Sequence, residues 1–294
     1  MSLTLNSPRR RLYEPEAVNA EPLNPGYNMY KKLRSFTHSK GKFSPASSSL
    51  ILESPIEIII NQERHILIMF TPQMARELVF GFVFTEGLIE SVSEIDECVI
   101  SVVGKEDGEQ ITEAKIGISP GRAYPSTTKM KRVSFSSCGI CGKENYYELT
   151  DGVIRVKSRQ RFSMEVLKRF PKRIQEFQPL YQKTGGAHAA VLFDVHGKVS
   201  VHSEDVGRHN ALDKVIGATL IQGISCHDKI LVSSGRASLE MILKTARAGF
   251  PVFVAMSRPT SKAVEAAKFY NITLIDMAGG SNRVYSHARR IMGF

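Results

Sequence analysis

Two cysteines, Cys138 and Cys141, are the residues of this sequence best suited to chemistry. They lie in the segment Ser-Phe-Ser-Ser-Cys-Gly-Ile-Cys-Gly-Lys, residues 134–143, where a glycine follows each cysteine. Glycine lets the backbone bend and lets another molecule approach closely. Basic side chains favour the thiolate, which attacks electrophiles and binds metals. Three of them stand nearby in the sequence: Lys131, Arg132 and Lys143.

Four chemistries use such a pair: half of a zinc site, a dithiol/disulfide couple, an iron–sulfur ligand set, or a carrier of persulfide sulfur. Zinc and iron–sulfur sites usually need four ligands, and the other cysteines, Cys98 and Cys226, each stand alone. The zinc deaminase signature needs His-x-Glu followed by Pro-Cys-x-x-Cys. Here Ala189-Ala190 follows His188, and the cysteine pair lies upstream of it. We therefore expect no metal.

The two remaining chemistries differ in the local structure that they need around the pair. A couple of the thioredoxin type lies where a strand leads into a helix. The sequence after Gly142 continues with Tyr-Tyr-Glu-Leu at 146–149, which does not predict a helix. Sulfur carriage needs an exposed thiolate and room for a large donor and acceptor, which the glycine-flanked pair provides. The residues alone leave both a sulfur carrier and a redox couple open.

The composition indicates a globular protein with two domains or one large one. The chain has 294 residues, 42% of them hydrophobic and 23% charged. No apolar run approaches the roughly 20 residues of a membrane span, and the amino terminus lacks the order of a secretory signal. The four cysteines are too few for a disulfide scaffold. We therefore expect a cytoplasmic protein.

The net charge of +10 suits nucleic acid, a phosphate-rich ligand or an acidic protein partner. Part of the excess lies in residues 1–44, which are also rich in proline and show no sustained periodicity. These features predict a basic, poorly ordered extension over residues 1–44. A basic arm that binds nucleic acid is the alternative.

Residues 45–160 are predicted to form a smaller α+β domain that carries the cysteine pair near its end. Two apolar runs predict a hairpin around residues 61–64, and Thr71-Pro72 predicts the start of a helix that Gly87 ends. Asp151-Gly152 predicts a second hairpin turn. The predicted strands are 56–60, 65–70, 99–103, 114–118, 132–135, 146–149 and 153–156.

Residues 161–294 are predicted to form an α/β domain. Ser163 begins a helix that Pro171 breaks, and strands at 189–195 and 198–202 form a hairpin. The polar turn at 204–210 opens a helix that Gly223 ends. Strands come next at 230–232, 252–255 and 272–275, the first two leading into helices. This alternation predicts parallel strand pairs.

The turns after these strands carry small residues and arginines. Free backbone N–H groups at a helix start bind anions, and the ligand crevice of an open α/β sheet lies at the carboxyl ends of its strands. Small turns also simply join strands to helices, so an anion site and a plain connection both remain open. No phosphate-binding or dinucleotide-binding glycine motif favours an ATPase or a dehydrogenase. The arginines are Arg208, Arg236, Arg258 and Arg283.

Several separate motifs together resemble the FdhD/NarQ family, the formate dehydrogenase accessory sulfurtransferases. They are Ser-Ser-Cys-Gly-Ile-Cys-Gly-Lys at 136–143, Glu-Asp-Val-Gly-Arg-His-Asn-Ala-Leu-Asp-Lys at 204–214, Ser-Gly-Arg-Ala-Ser at 234–238, Thr-Gly-Gly-Ala-His at 184–188 and Gly-Phe-Val-Phe-Thr-Glu-Gly at 81–87. The resemblance runs from about residue 50 to the end of the chain and leaves out residues 1–44.

The resemblance implies a fold, partners and an activity. The larger domain would be cytidine-deaminase-like without the deaminase zinc site, and the protein would be a homodimer. A cysteine desulfurase would load persulfide sulfur onto Cys138, with Cys141 as second thiol or relay. The sulfur would pass to bis(molybdopterin guanine dinucleotide), the molybdenum cofactor that formate dehydrogenase needs. The positive charge would then serve phosphates and an acidic partner, with no role in binding DNA or a membrane.

The resemblance also assigns a cofactor-binding tail, Met277, Ala278, Gly279, Gly280, Ser281 and Asn282. This chain has Met277 and Gly279 where many members have an aromatic residue and an arginine, so we expect Arg283 to supply the charge. Because the cofactor carries guanine nucleotide phosphates, Arg208 and Arg236 at the strand-end turns are predicted to contribute. A CxxC dithiol/disulfide oxidoreductase remains the alternative function.

Overall fold

The computed structural model describes residues 29–104, 110–119, 132–134, 150 and 152–294. Its first element is an antiparallel hairpin of β1 (Tyr30–Ser39) and β2 (Lys42–Ile51). Lys40 and Gly41 between the strands both have positive φ, 49° and 77°, which is typical of a tight two-residue hairpin turn. The prediction of poor order is therefore wrong over residues 30–44, because this turn and the strand pairing override the basic composition. Residues 1–28 lie outside the described residues.

The next part of the chain forms a five-stranded sheet in the order β5-β6-β3-β4-β7. The predicted hairpin around residues 61–64 is confirmed, as are the strands near 99–103 and 114–118. β7 is three residues long and runs parallel to β4, with Ser134 opposite Ile68. The strands are β3 (Ser54–Ile60), β4 (Arg64–Phe70), β5 (Ile95–Gly104), β6 (Gln110–Ile118) and β7 (Arg132–Ser134).

Helix α1 (Ala75–Thr85) begins later than predicted. Thr71 does not cap it: its amide donates to Asp205 Oδ2 (3.0 Å), and its hydroxyl accepts from the amide of Val206 (3.1 Å). The amide and hydroxyl of Thr71 thus bond to residues distant in sequence, and the hydroxyl does not cap the helix. Gly87 comes just after the helix with φ 75°, as its predicted end requires.

The connection between the sheets differs in part from its prediction. Residues 153–156 are not a strand, because Val156 instead pairs with a distant loop: its amide donates to the carbonyl of Tyr270, and its carbonyl accepts from Asn271 Nδ2. The partner strand predicted at 146–149 lies outside the described residues. The predicted break near Pro171 is confirmed. Here β8 (Phe162–Ser163) precedes α2 (Met164–Leu167), α3 (Phe170–Arg173), a 3₁₀ turn (Ile174–Phe177) and α4 (Pro179–Thr184).

The last part of the chain forms a six-stranded sheet in the order β10-β9-β11-β12-β13-β14. As predicted, β9 and β10 form a hairpin, and β11, β12 and β13 are parallel. The strands are β9 (His188–Phe193), β10 (Val199–Asp205), β11 (Ile230–Arg236), β12 (Val252–Ser257), β13 (Thr273–Asp276) and β14 (Arg283–Val284), and β15 (Ile291–Met292) pairs with β8. The helices are α5 (Arg208–Ile221), α6 (Leu239–Ala248) and α7 (Ser261–Phe269).

One of two hydrophobic core clusters in the described part of the chain runs from one large sheet to the other. It includes Ile56 and Ile58 of the five-stranded sheet and Leu231 and Phe253 of the six-stranded sheet, each fully buried. Helices α1 and α5 lie against each other within this core. The predicted division of the chain after residue 160 remains a prediction. Among the described residues, no helix is both long and apolar enough to cross a membrane.

Two glycines allow the helices to approach closely. A Cβ on Gly81 of α1 would lie 1.8 Å from the carbonyl oxygen of Asp213, and one on Gly217 of α5 would lie 1.9 Å from that of Glu77. No side chain fits at such distances. The two backbones therefore touch, which fixes the position of α5 and of the residues at its amino end.

Candidate functional site

Four strands of the six-stranded sheet end at one edge. β10 runs parallel to β11, because both are antiparallel to β9, and β12 and β13 continue the parallel order. Their last residues are Asp205, Arg236, Ser257 and Asp276. In an open α/β sheet this edge is where ligands bind. The carboxyl edge, as we call it, carries the described site residues that the sequence predicts.

Arg208 and Arg236 lie at neighbouring points of the carboxyl edge. Arg208 is the first residue of α5, and its side chain packs against Gly235, where a Cβ would meet the Arg208 Cδ at 3.2 Å. Arg236 ends β11 and is exposed. The hydroxyl of Ser234 accepts a hydrogen bond from the amide of Ala189 (2.8 Å), which ties β9 to the same turn. The structure therefore brings both predicted arginines to one edge, with the guanidinium of Arg236 open to a ligand.

The predicted tail, residues 277–282, comes after β13 at the same edge. Met277 is only 2% exposed and packs in a hydrophobic cluster, so its side chain does not face a ligand. Gly279 and Gly280 have positive φ, 58° and 77°, and no atom lies within 4 Å of a Cβ placed on either. The backbone of this turn is thus open to close approach. A ligand here would meet backbone groups and the side chains of Ser281 and Asn282.

Asp276, the last residue of β13, fixes the position of the tail through hydrogen bonds. Its carboxylate accepts from the amide of Ala278 (2.6 Å) and the hydroxyl of Tyr285 (3.2 Å). Arg283 Nη1 lies 3.7 Å from the same carboxylate, and the side chain of Arg283 is 46% exposed. Part of the positive charge expected from Arg283 is therefore balanced by Asp276.

A buried ion pair fixes the amino end of α5. Lys214 Nζ lies 2.6 Å from Asp205 Oδ2, and both side chains are fully buried. The ammonium also donates to the carbonyls of Thr71 (3.0 Å) and Glu204 (3.3 Å), so its three N–H groups have three acceptors. Asn210 Nδ2 donates to Asp205 Oδ1 and to the carbonyl of Met69. These bonds join the ends of β4 and β10, which belong to different sheets.

A second buried cluster forms around Asp213, the residue just before Lys214 on α5. Lys244 Nζ is 2.5 Å from Asp213 Oδ2, and Thr85 Oγ1 donates to Asp213 Oδ1 (2.8 Å). Burial opposes the charge of Lys244, but Asp213, Glu86 and Glu240 outweigh it and raise the pKa of Lys244. The cluster thus links α1, α5 and α6 through a charged lysine.

Two histidines lie within electrostatic reach of Arg208. His209 in the first turn of α5 is buried, with Nε2 3.6 Å from Glu240 Oε2. Burial, helped by Lys244 and Arg208, lowers its pKa to about 3. Burial and Arg208 also lower the pKa of His188 at the start of β9. Both rings are therefore neutral near pH 7.

Glu204 anchors the helix before β9. Its two carboxylate oxygens accept from the amides of Leu180 (2.7 Å) and Tyr181 (2.8 Å) at the start of α4. Most charged and amide side chains of the 204–214 motif thus position backbone elements. The sequence pattern predicts a polar turn at 204–210 that opens a helix, as observed, but it does not indicate this positioning role. One signal was available in the sequence. Asp213 and Lys214 lie between apolar residues of a helix whose apolar positions occur on all of its faces, which predicts that their charges are buried and paired.

Cys138 and Cys141 lie outside the described residues. The structure does describe the approach to them: β7 ends at Ser134 beside Ile68, three residues before Thr71 on the neighbouring strand. Thr71 bonds to Asp205 at the carboxyl edge. At about 3.3 Å per residue, the end of β7 is therefore on the order of 10 Å from that edge. Ser134, the last described residue before the cysteine pair in sequence, therefore lies toward the side of the sheet that carries the arginines.

The other two cysteines are unsuited to nucleophilic chemistry. Burial raises the pKa of Cys98 and of Cys226 to about 11 in each case. Both are therefore thiols at neutral pH, whereas attack requires a thiolate. Within the part of the chain that the structure describes, no three His, Cys, Asp or Glu side chains form a group that could hold a metal ion.

Sequence comparison with known proteins shows which family this chain belongs to. Residues 51–292 match the sequence profile of the FdhD/NarQ family. A sulfur carrier protein FdhD of Thermoplasma acidophilum is 38% identical over 261 residues, covering 85% of this chain and 89% of the relative. That of Bacillus pumilus is 33% identical, covering 92% and 99%.

A solved structure shows the same fold. It is a crystal structure of a protein from Desulfotalea psychrophila provisionally assigned as a formate dehydrogenase accessory protein. The TM-score is 0.71 at 24% identity, with 90% of this chain and 100% of that chain covered. The mixed α/β fold is thus confirmed. The family profile covers the sequence of both large sheets and includes the sequence positions of the cysteine pair. This chain belongs to the FdhD/NarQ family.

Proposed function

We propose that this protein is a sulfurtransferase that carries sulfur as a persulfide on Cys138. It accepts the sulfur from a cysteine desulfurase and delivers it to bis(molybdopterin guanine dinucleotide), the cofactor of formate dehydrogenase. The observation that carries the proposal is the Cys138-x-x-Cys141 pair within the span shared with relatives that are sulfur carriers. The approach of β7 to an edge with an exposed arginine supports it.

Sulfur loading is a thiolate exchange that needs no added oxidant. The Cys138 thiolate attacks the outer sulfur of a persulfide on the desulfurase, forming a new S–S bond. The S–S bond of the donor breaks, and its cysteine leaves as a thiolate. Because one S–S bond replaces another, the step involves no net oxidation or reduction. Cys141 then serves as second thiol or relay.

The carboxyl edge is suited to bind the acceptor. A guanine dinucleotide cofactor carries phosphates, which arginine guanidinium groups bind in pairs of hydrogen bonds. Arg236 is exposed at this edge, and the turn at 278–282 presents glycine backbone with open space above it. We propose that these groups bind and orient the cofactor, while Arg208 contributes positive charge from the start of α5.

We also propose finer features of the molecule. The six-stranded sheet, with a β9–β10 hairpin followed by three parallel strands, has an order that suits a cytidine-deaminase-like domain. The protein would act as a homodimer in the cytoplasm, where a free cysteine pair stays reduced. Its protein partners would be a cysteine desulfurase and formate dehydrogenase.

Intact-protein mass spectrometry tests the central step. Incubation with a cysteine desulfurase and cysteine is expected to add the mass of one sulfur atom, and dithiothreitol should remove it. The Cys138→Ala variant should lose the adduct. Cys226→Ala is the matched control and should keep it, because the thiol of Cys226 is protonated at neutral pH.

The same experiment separates the alternative function. A dithiol oxidoreductase would lose two hydrogens on oxidation and form a Cys138–Cys141 disulfide without gaining sulfur. Retention of the adduct in Cys138→Ala would overturn the primary role of Cys138. Absence of any adduct in the wild-type protein, with a desulfurase shown to be active, would overturn sulfur carriage.

A further inference from the structure

A basic groove of about 690 Å³ lies at the edge of the six-stranded sheet opposite the carboxyl edge. Arg290 marks its position: its guanidinium donates to the carbonyl of Pro251 and to the hydroxyl of Thr273, where β12 and β13 begin. The groove lies between two segments that are distant in sequence, residues 158–161 and 287–290. It is therefore separate from the edge that carries the tail.

The lining of the groove is positively charged. Its basic side chains are Arg159, Arg161, His287, Arg289 and Arg290, and no aspartate or glutamate is among the described residues that line it. Two of these arginines shape the groove: Arg290 is buried, and Arg161 Nη2 donates to the carbonyl of Ile291. Arg159 and Arg289 are exposed. Their guanidinium groups can reach a ligand without breaking the bonds that form the groove.

We propose that this groove binds an acidic peptide segment of a partner protein. Arginine binds carboxylates through paired hydrogen bonds, and the volume is that of a site for a compact ligand or a short peptide segment. Single-stranded nucleic acid would need a series of stacking faces. Phe294 is the one phenyl ring in the described lining. Carboxylates on a peptide therefore fit better than a polynucleotide.

The position of the groove suits a carrier that exchanges sulfur with other proteins, and in this respect the inference rests on the proposed function. A partner held at the amino ends of β12 and β13 leaves the carboxyl edge open. Docking and chemistry would then use opposite edges of one sheet. A partner could remain bound by its acidic segment while the reacting groups meet at the other edge.

Fluorescence anisotropy with a fluorescein-labelled hexaglutamate peptide tests the inference on the full-length protein. The double variant Arg159→Glu/Arg289→Glu should weaken binding by roughly tenfold or more, because two favourable charge contacts become repulsive. Arg169→Glu/Lys172→Glu makes the same change of charge on exposed residues of the α2–α3 region outside the groove. That control should stay within about twofold of the wild-type affinity.

The outcomes distinguish this inference from its competitors. Cys138→Ala should bind the peptide as the wild type does, so failure of sulfur carriage leaves this result intact. An equal loss of peptide affinity in both double variants would contradict binding at the groove, because the change in net charge alone would explain the loss. Tighter binding of a labelled twelve-residue oligothymidylate, lost in the groove variant, would overturn the peptide assignment in favour of nucleic acid. Absence of peptide binding would also overturn it.

Discussion

Lys214 is the residue whose surroundings most directly join the two sheets. Its ammonium is fully buried among Asp205, Thr71 and Glu204, with an acceptor for each N–H group. A charge is tolerated in such a place only when it is paired and hydrogen-bonded. The geometry of the carboxyl edge therefore depends on a side chain that is closed off from any ligand.

The Lys214→Met variant should show this dependence in its stability. It leaves the Asp205 carboxylate buried without its cation, which typically lowers the free energy of unfolding by about 3–5 kcal/mol. Urea unfolding followed by circular dichroism measures the change. Lys262→Met is the control, because its ion pair with Glu265 is exposed and should contribute less than about 1 kcal/mol. Equal losses in the two variants would contradict the role of Lys214.

His209 should make the stability of the protein depend on pH. Its pKa is lowered to about 3 in the folded state by burial and by Lys244, Arg208 and His188, whereas an unfolded histidine titrates near 6.5. The unfolded state therefore binds a proton first, so the stability present above pH 6.5 falls as the pH drops toward 3. The neighbouring Glu240 carboxylate does not prevent this.

The His209→Gln variant should remove part of that pH dependence. Its free energy of unfolding at pH 8 gives the change in packing, because the ring is neutral in both states there. Between pH 8 and 5.5 the wild type should lose about 1.4 kcal/mol more than the variant, roughly 1 kcal/mol of it between pH 6.5 and 5.5. Urea titrations at the three pH values measure the difference. Parallel curves for the two proteins would show that His209 does not titrate on unfolding.

The sequence predicts site residues well where a single strand end decides their position. Arg208 and Arg236 come after or at the ends of strands that meet one edge, and the parallel order could be inferred from the alternation of strands and helices. Met277 differs, because the family pattern gives its place in the tail but not the direction of its side chain. That direction depends on packing against residues such as Ile275 and Val284. The 2% exposure of Met277 could not be read from its neighbours in sequence.

At the scale of helices and strands, the close crossing of α1 and α5 determines how the site is assembled. Gly81 and Gly217 let each backbone reach the other. Alanine is the better helix former by about 1 kcal/mol, so an isolated helix would gain from either substitution. In this crossing, however, an added methyl group would overlap a carbonyl oxygen. The cost of this overlap must therefore exceed the gain in helix propensity.

The Gly217→Ala variant should therefore be strongly destabilised. Overpacking usually costs about 1–3 kcal/mol, and a clash with backbone has little room to relax, so we expect a loss at or above the top of that range. Gly104→Ala is the control, because no atom lies within 4 Å of a Cβ at that position. Thermal unfolding by calorimetry measures both. A Gly217→Ala protein as stable as the wild type would contradict the crossing.

Two hairpins that form through local signals are predicted correctly, whereas two predictions fail where the chain bonds to distant partners. The β3–β4 and β9–β10 hairpins arise from apolar runs and turn residues. Thr71-Pro72 carries a local helix-start signal, but Asp205 and Val206 use the amide and hydroxyl of Thr71 instead. Residues 153–156 look like a strand, yet Val156 pairs with Tyr270 and Asn271. In each failure a long-range hydrogen bond overrides the local preference.

Over the whole molecule, the two large sheets share one core and several buried polar bonds. Asn210 donates to Met69, Gln73 donates to the carbonyl of Glu204, and Thr71 donates to Asp205. Breaking the contact between the sheets would expose these groups together with the apolar faces of α1 and α5. Such a molecule should unfold as one cooperative unit rather than as two units divided after residue 160.

Hydrogen exchange in low urea tests this cooperativity. Ile58→Val removes one methyl group from the core side of β3, which typically costs about 0.5–1.5 kcal/mol. In one cooperative unit, the amides of β12 should lose the same free energy of protection as those of β3, although Ile58 is in the other sheet. Phe253→Leu on β12 is the reciprocal variant and should lower the protection of β3. If each substitution affected only its own sheet, the shared core would not couple them, and the carboxyl edge would have to be treated as part of an independent domain.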